Sequence, residues 1–528
     1  MNAEELQFQL QKSVLIGACV ITAIFFGLLL AGAPFLLILV LFGVVWLMTL
    51  PYHATIAVYL IIATVNSALI LPSVPGRPFF WELGVALGWS GLIVSLALRR
   101  QTPGTGQRIQ QNWALLAAMV GYCCVLLFLI YYRGVGIRSL SGDSGGQMGG
   151  RLYLQQLAIT VLPLLLIVNP LSERILVRLF VVQCFLSITY IVSDFIFTQG
   201  RGSLFNLLLF LELPTDGANF ESQSLNFGIR RFQSLFIFAL GMLSILWLKR
   251  PLRDYANRNA FWMWPLTLGF LAIGLLSGHR HLLYISSVML LINAWAQRFF
   301  SVPRLAAMVV VGLVFYAGSF AYVRSLPLAA QRALSFVPGI EVDRLAYEDG
   351  FATMEGRRAL RRVGLEVAKQ YVWVGRGFGK SMNIDPSLYR YDLTYMNIDN
   401  GIFYNGTIGL LVNTGVPGTI CMFVFLGAGS FLAWRILQLI RQMGAEDDFS
   451  RLSSLVASFW FALVISFVFL HGDAEYALRS FGLPAGILIA CRWHLERRLA
   501  AQQTVASEPV QAISPPPEHA FGRLRPAL

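Results

Sequence analysis

The chain has 528 residues, of which 56% are hydrophobic and only 13% are charged. That charged fraction is about half of what soluble domains carry, and apolar runs recur from Val14 almost to the end. The composition therefore excludes an ordinary soluble enzyme and indicates a membrane protein. The net charge of +13 does not indicate nucleic-acid binding, because the basic residues lie in short connections between apolar runs.

The apolar runs predict an all-α polytopic membrane protein, because one span of a bilayer needs about 20 apolar residues. We expect about 12–14 transmembrane helices on this basis. In chain order the predicted spans are 14–31, 33–50, 54–71, 80–98, 113–132, 152–169, 178–196, 232–248, 262–277, 281–297, 304–323, 417–437, 454–471 and 478–492.

These spans divide the chain into four parts. We expect an N-terminal transmembrane bundle over 1–324, a large loop carrying short helices over 325–400, C-terminal transmembrane helices over 401–499 and a disordered tail over 500–528. The six cysteines lie within apolar runs and have no metal-ligand spacing, so disulfides and metal sites are not expected.

Arginine and lysine are concentrated in alternate connections, which predicts the orientation of the chain in a bacterial inner membrane. Both termini and these connections are then cytoplasmic, and the loops 133–151, 198–231 and 325–400 are periplasmic. The basic residues on the predicted cytoplasmic side are Arg99, Arg100, Arg108, Arg174, Arg178, Lys249, Arg250, Arg253, Arg258, Arg298, Arg304, Arg435, Arg441, Arg451, Arg492, Arg497 and Arg498.

The predicted periplasmic connections also carry arginines, against the usual bias. Arg280 lies in a short turn, Ser-Gly-His-Arg-His at 277–281, and Arg230 and Arg231 directly precede a span. Two interpretations remain open: guanidinium groups that bind an anionic ligand, or interfacial arginines that reach lipid phosphates. Arg376 lies in Gly-Arg-Gly-Phe-Gly at 375–379, which predicts a tight loop returning to the membrane with an arginine available to an anion.

A helix is predicted over 353–371, with Leu360, Val363, Val367 and Tyr371 on one apolar stripe. Its basic residues occur as two pairs four residues apart, and we interpret them as a solvated face rather than a site. These basic residues are Arg357, Arg358, Arg361 and Arg362.

The segment 397–418 combines polar groups with a half-hydrophobic run and predicts a short helix at the membrane interface. Asp399 and Tyr404 would then lie near the lipid headgroups. The alternative interpretation is that Asp399 and Asn400 cap this helix. The turn 471–475, His-Gly-Asp-Ala-Glu, is a second polar cluster, and Glu82 and Asp194 are ionisable residues near the outward ends of spans.

The order of these features resembles the O-antigen ligase and Wzy-type polysaccharide polymerase superfamily. Members have many spans, a short basic turn, a large periplasmic loop with a Gly-x-Gly-x-Gly element, a His-Asn pair and a Gly-x-x-Gly element. Here 277–281, 375–379 and 415–418 match in order, over roughly residues 225–495. Tyr404-Asn405 stands where the ligases have His-Asn, which favours a polymerase over a ligase.

The resemblance implies a GT-C-like enzyme that needs no metal or other cofactor. A sugar hydroxyl attacks the anomeric carbon of a glycan carried on undecaprenyl pyrophosphate, and the lipid pyrophosphate leaves. Arg230, Arg231, Arg280 and Arg376 would neutralise this leaving group. Arg280, Tyr404 and Asp399 would form the catalytic site, with Asp399 accepting the hydroxyl proton. The sugars would stack on Tyr389, Tyr391 and Tyr395.

The expected function is polymerisation of these repeat units into exopolysaccharide or O-antigen. One alternative is an O-antigen ligase that transfers the glycan to lipid A-core or another acceptor, and another is a flippase or transporter of the same glycolipid. The expected partners are the lipid-linked glycan, membrane lipids, a flippase and chain-length regulator proteins, with no nucleic acid.

The predicted orientation is tested by single cysteines placed within 340–395. We expect them to react with a membrane-impermeant thiol reagent in intact spheroplasts, because this loop faces outward. Protection in spheroplasts together with reaction in inverted vesicles would contradict the orientation and the function that depends on it.

Overall fold

The computed structural model of the chain describes four isolated positions near the N-terminus and most residues from Pro34 to Ser507. The described residues are 17, 20, 21, 27, 34–72, 77–98, 102–135, 137–138, 147–199, 202–212, 229, 232, 234–256, 262–382, 384–385, 387 and 393–507. Most of the predicted span 14–31, the tail beyond 507, and the candidate site residues Arg230, Arg231, Tyr389 and Tyr391 lie outside these ranges.

The N-terminal half consists of helices that follow the predicted spans. They are α1 (Pro34–Thr49), α2 (His53–Thr64), α3 (Phe80–Ala97), α4 (Thr105–Gln111), α5 (Trp113–Arg133), α6 (Gly149–Ile159), α7 (Val161–Val168), α8 (Glu173–Leu186), α9 (Ile188–Gln199), α10 (Ser234–Lys249), α11 (Met263–Leu275), α12 (His281–Ala296) and α13 (Val302–Tyr322). The described strands are the two-residue β1 (Ile137–Arg138) and β2 (Gln147–Met148), which pair antiparallel.

The C-terminal half carries the loop helices and the last spans. They are α14 (Leu328–Leu334), α15 (Arg344–Tyr371), α16 (Leu393–Asn400), α17 (Gly406–Met443), α18 (Asp448–Ile465) and α19 (Ala477–Ser507). A π-helical turn, Ser466–Leu470, follows α18, and 3-10 turns cover Leu50–Tyr52, Gly202–Leu209, Leu252–Ala256, Val323–Ser325 and Ala474–Tyr476.

The helices confirm a multi-pass, helical membrane protein. Among the described residues, seven helices are long and apolar enough to cross a membrane, and the bent pair Val40–Thr49 and His53–Thr64 makes an eighth if it is one span. Three further apolar helices are shorter, Ser234–Lys249, Met263–Leu275 and His281–Ala296. The total of 12–14 spans, deduced from apolar run lengths of about 20 residues, stays a prediction.

Small residues allow the helices to pack closely in the bundle. A Cβ atom added to Gly91 of α3 would lie 2.4 Å from the backbone nitrogen of Ala54 in α2, and one added to Gly84 would lie 3.0 Å from Ile61. Such contacts between backbones favour association where apolar burial offers little driving force, as in a lipid bilayer. In α18, Trp460 is completely buried, and its ring lies 5.2 Å from that of Phe481 in α19.

The kink in α17 joins the large loop to the bundle. Gly415 has a left-handed φ of +69°, so the half-helix 406–414 ends there and a second helix continues through Pro417. The backbone N–H groups of Arg376 and Gly377 donate to the carbonyls of Val412 (2.8 Å) and Asn413 (2.9 Å). The N–H of Val416 donates to the carbonyl of Val372 at 2.7 Å. The loop therefore satisfies backbone groups that the kink leaves without helical partners.

The predicted loop helix is present as α15 and is longer than expected, but its predicted apolar stripe is partly wrong. Val363 is exposed, whereas Gly364 and Ala368 are buried together with Leu360. A Cβ atom on Gly364 would lie 2.6 Å from Ile408 and 2.7 Å from Phe403. The helix approaches the half-helix of α17 so closely that small residues form its buried line.

We call the end of the bundle nearest α15, α16 and the kink the loop end. At the opposite end, contacts join connecting segments that are all predicted to lie on the cytoplasmic side. Arg498 contacts Glu173 and donates to Asp447 at 2.5 Å. Arg451 donates to the carbonyl of Leu248 at 2.6 Å. These two arginines at the opposite end are therefore bound to carboxylates and a backbone carbonyl.

Two glycines of α17 provide a matched test of this packing. A Cβ atom on Gly429 would lie 2.0 Å from the buried ring of Trp460, whereas one on Gly427 would have no neighbour within 4 Å. We expect Gly429→Ala to lower the thermal unfolding midpoint in detergent, because overpacking costs about 1–3 kcal/mol. Gly427→Ala is the control and should raise the midpoint slightly through helix propensity. Equal shifts in the two variants would contradict this packing.

Candidate functional site

Four arginines at the loop end, Arg280, Arg332, Arg357 and Arg361, form the arginine cluster. Arg280, in the turn between α11 and α12, donates from Nη2 to Ser335 Oγ at 3.0 Å. A Cβ atom on Gly350 of α15 would lie 2.3 Å from this Nη2, so a glycine is required where the helix crosses the guanidinium. Burial, together with the charges of Arg332 and Arg357, lowers the pKa of Arg280 to about 10. Arg280 is still a cation at pH 7.

Arg332 supports the cluster structurally, because its charge is already matched. Its Nε contacts the carboxylate of Asp349, and both side chains are 7% exposed. Nη1 donates to the carbonyl of Gly278 at 2.7 Å, and Nη2 donates to Thr353 Oγ1 at 2.9 Å. This pair fixes α14 and α15 against the turn that carries Arg280.

Arg357 is the cation of the cluster that the sequence interpretation missed. It is half-buried, and its guanidinium carbon lies 5.4 Å from the centre of the Tyr404 ring. Among the described residues it donates no hydrogen bond, although Asp473 acts on it electrostatically. Burial is the main reason that its pKa lies below the ordinary value. The interpretation as a solvated face is therefore wrong for Arg357.

The position of Arg357 was detectable in the sequence. Arg357 precedes Leu360 by three residues and Gly364 by seven, so it shares the helix face that packs on the half-helix of α17. Arg358, one residue later, points to the other side and pairs with Glu355 at 3.3 Å, with both side chains exposed.

Tyr404 and two histidines lie next to Arg357. The Tyr404 ring stacks on His471, with ring centres 5.5 Å apart, and His471 meets the His281 ring edge-on at 5.9 Å. His281 Nε2 lies 3.3 Å from Ser466 Oγ in the π-helical turn. Tyr404 has φ +48°, a left-handed conformation that is costly for a residue with a bulky side chain. Tyr404 thus lies next to Arg357 and His471, and its role in a catalytic site stays a prediction.

His471 is neutral at physiological pH. Burial is the largest cause, and the charges of Arg357 and Arg361 add to it, so that the pKa of His471 falls to about 4. Its buried Nδ1 has no hydrogen-bond partner among the described residues. Arg361 donates from Nη2 to the carbonyl of Leu470 at 2.8 Å, which holds α15 against the turn before His471.

Arg376 is bound inside the loop, to Asp399 and Asn413, and its convergence with Arg280 stays a prediction. Its side chain is 3% exposed, with Nη1 donating to the Asp399 carbonyl at 2.8 Å and Nη2 to Asn413 Oδ1 at 3.3 Å. A Cβ atom on Gly401 would lie 2.1 Å from Nη2, so the guanidinium fills its space completely. Burial lowers its pKa, while Glu475 and Asp399 oppose this effect. These contacts give Arg376 a structural role at the kink.

Asp399 is also held inside the loop. It is 2% exposed, and its Oδ1 accepts hydrogen bonds from Ser381 Oγ (2.7 Å) and from the Met382 backbone N–H (2.6 Å). The alternative that Asp399 and Asn400 cap the next helix is wrong, because Asn405 caps α17 by accepting from the Ile408 N–H at 3.0 Å. Tyr395, of the three candidate sugar-stacking tyrosines, lies in α16 and is 40% exposed.

A separate apolar cavity of about 230 Å³ lies beside the kink. It is lined by residues of α5 and by Trp373 and Pro417, and no member of the arginine cluster lines it. The arginine cluster, between α15 and the bundle, is therefore separate from this cavity.

Chemically, the arrangement places a half-buried cation and a neutral imidazole next to one tyrosine ring. Partly desolvated guanidinium groups bind anionic oxygens strongly, and a neutral imidazole accepts a proton. The site is suited to an anionic leaving group beside a proton transfer. No protein-family model matches this chain, and no curated protein sequence matches it.

The low pKa of His471 is measurable by NMR, because the chain has only six histidines. We expect His471 to titrate near pH 4, and Arg361→Gln to raise its pKa by removing a nearby positive charge. The pKa should stay below 6.5 in this variant, because burial, the larger cause, remains. Arg358→Gln is the control and should leave it unchanged. A wild-type titration near 6.5 would show that the imidazole is not buried beside the arginines.

Proposed function

We propose that the chain is a bacterial inner-membrane glycosyltransferase that polymerises undecaprenyl-pyrophosphate-linked oligosaccharides into exopolysaccharide or O-antigen. In this proposal the loop end is periplasmic, both termini are cytoplasmic, and the 12–14 spans form a GT-C-like bundle built from apolar runs of about 20 residues. The carrying observation is Arg357, a half-buried cation without a hydrogen-bond acceptor among the described residues, placed beside Arg280.

The reaction needs negative charge to be stabilised as it develops on the pyrophosphate. A hydroxyl oxygen of the acceptor sugar bonds to the anomeric carbon of the donor, and the bond from that carbon to the phosphate oxygen breaks. Arg280 and Arg357 supply fixed positive charge to the leaving oxygens in a site screened from water, where such charge acts strongly. Arg332 stays paired with Asp349 and keeps Arg280 in position.

We assign the hydroxyl proton to His471 rather than to Asp399. The neutral imidazole of His471 stacks on Tyr404, whereas the Asp399 carboxylate is occupied by loop hydrogen bonds. A bound pyrophosphate would offset the charge of Arg357 and raise the pKa of His471 toward the working pH, since that charge helps to lower it. Donor binding then makes His471 a stronger base.

The position of His471 also favours a second candidate, the O-antigen ligase. The resemblance places a histidine before asparagine in the ligases, and here Tyr404 occupies that place in the chain. The structure nevertheless stacks His471 on Tyr404, at 5.5 Å between ring centres, so a histidine lies at this point in space. A deletion strain distinguishes the two functions: loss of a ligase leaves polymer on its lipid carrier, and loss of a polymerase leaves single repeat units.

Adjacent arginines of α15 provide the test of the proposal. We expect Arg357→Ala to reduce the rate of polymer formation about 100-fold, the scale of removing one group that stabilises transition-state charge. Arg358→Ala is the matched control, because Arg358 is exposed on the other side of the helix. The measurement is sizing of products formed by purified protein from a lipid-linked repeat unit. Equal rates in the two variants, with both folded, would end the proposal.

A further inference from the structure

A second polar cluster lies at the loop end, where α3, α6 and α19 begin. Glu82 Oε1 accepts from Gln155 Nε2 at 2.7 Å, and Gln155 Oε1 accepts from Arg479 Nη1 at 3.3 Å. Arg151 Nη2 lies 3.6 Å from Glu82 Oε2. We call Glu82, Arg151, Gln155 and Arg479 the α3–α6–α19 cluster. Its side chains alternate between hydrogen-bond donors and acceptors.

Aromatic rings surround the guanidinium of Arg479. Its central carbon lies 5.2 Å from the Trp81 ring, 5.5 Å from the Phe79 ring and 5.8 Å from the Tyr476 ring. The single hydrogen bond to Gln155 uses one of its five N–H donors, among the described residues. The indole N–H of Trp81 is buried and has no acceptor in the described part of the chain. Arg479 therefore has N–H donors without acceptors among the described residues, next to three aromatic rings.

The charge at this cluster is nearly balanced. Glu212 interacts electrostatically with Arg77, Arg151, Arg479 and Glu82, and burial raises the pKa of the Glu212 carboxyl above its ordinary value. Three arginines therefore face two glutamates. In the arginine cluster, four arginines face Asp349 and Asp473. The smaller excess of positive charge at the α3–α6–α19 cluster suits a neutral ligand with many hydroxyl groups, and the larger excess at the arginine cluster suits a phosphate.

One short segment connects the two clusters. His471 and Asp473 act on the arginine cluster, and Tyr476 and Arg479, a few residues later, belong with the α3–α6–α19 cluster. Between them Glu475 is 2% exposed and acts on the buried Arg376. The turn is anchored in its middle, so the two clusters are held at a fixed separation.

We propose that the α3–α6–α19 cluster, with the half-buried Tyr476, binds the acceptor glycan of the transfer reaction. The Tyr476 ring can pack on the C–H face of a sugar. The partly exposed Arg151 and Arg479 can donate to sugar hydroxyls, and the partly exposed Glu82 can accept from them, whereas Gln155 is buried and links Glu82 to Arg479. The proposal rests on the proposed function and adds where the attacking chain lies. The acceptor approaches from α3 and α6, while the donor pyrophosphate lies at Arg280 and Arg357.

The test is Arg479→Gln, with acceptor and donor varied separately. The acceptor is the repeat-unit oligosaccharide freed from its lipid, and the donor is the lipid-linked unit. We expect KM for the acceptor to rise about tenfold, as for loss of hydrogen bonds from a charged group, with donor KM within about twofold. Arg497→Gln is the matched control, because Arg497 also stacks on a tryptophan of α19, Trp493 at 5.6 Å, near its other end. Unchanged acceptor KM would overturn the assignment.

Binding without turnover separates this inference from the proposed function. We expect the freed oligosaccharide to quench tryptophan fluorescence in the wild type, and much less in Trp81→Phe, which keeps a buried ring but removes the fluorophore next to Arg479. Arg479→Lys, which keeps the charge, guards against a variant that does not fold. Quenching without any transfer supports the glycan site and contradicts the polymerase. The opposite result is that glycan transfer occurs, while quenching in Trp81→Phe and the acceptor KM in Arg479→Gln are both unaltered. That result would overturn the glycan site and would not contradict the polymerase.

Discussion

The kink of α17 at Gly415 determines where the polar residues of this protein lie. A helix that stops within a bundle leaves carbonyl and N–H groups unpaired, which is costly where water is scarce. The segment 372–377 satisfies them through Val372, Arg376 and Gly377. The large loop is therefore fixed to α17 by backbone hydrogen bonds. α15 packs on the same half-helix through Gly364, which lies against the side chains of Ile408 and Phe403, and Arg357 shares this face of α15.

The two ends of the bundle use arginine differently. At the opposite end Arg498 binds Glu173 and Asp447, and Arg451 binds a backbone carbonyl, so these cations contribute to packing. At the loop end Arg280 donates to a hydroxyl and to the Arg332 carbonyl, and Arg357 lies over a tyrosine ring. Asp349 and Asp473 act on these two arginines electrostatically. Burial of incompletely paired charge lowers stability, so it marks these two arginines as candidate ligand-binding residues.

The helical, multi-pass fold was predictable because each span has to be an uninterrupted apolar run, and the helices follow those runs closely. The loop helix was predictable as well, but its buried line was not. Gly364 and Ala368 are buried because Phe403 and Ile408, from a later segment, approach the backbone. In the same way, His471 meets Tyr404 only after α18 has crossed the bundle, and Arg376 is enclosed by Gly401 and Asn413. Pairings between distant segments leave no local periodicity to detect.

Tyr404 combines two requirements that oppose each other. Its ring contacts both Arg357 and His471, yet its backbone has φ +48°, a conformation that glycine or asparagine adopts at lower cost. Selection for thermal robustness alone would replace the tyrosine, and selection for the contact between its neighbours would retain it. The residue thus marks a stability–activity trade-off confined to one position, and engineering that stabilises this protein elsewhere leaves that compromise intact.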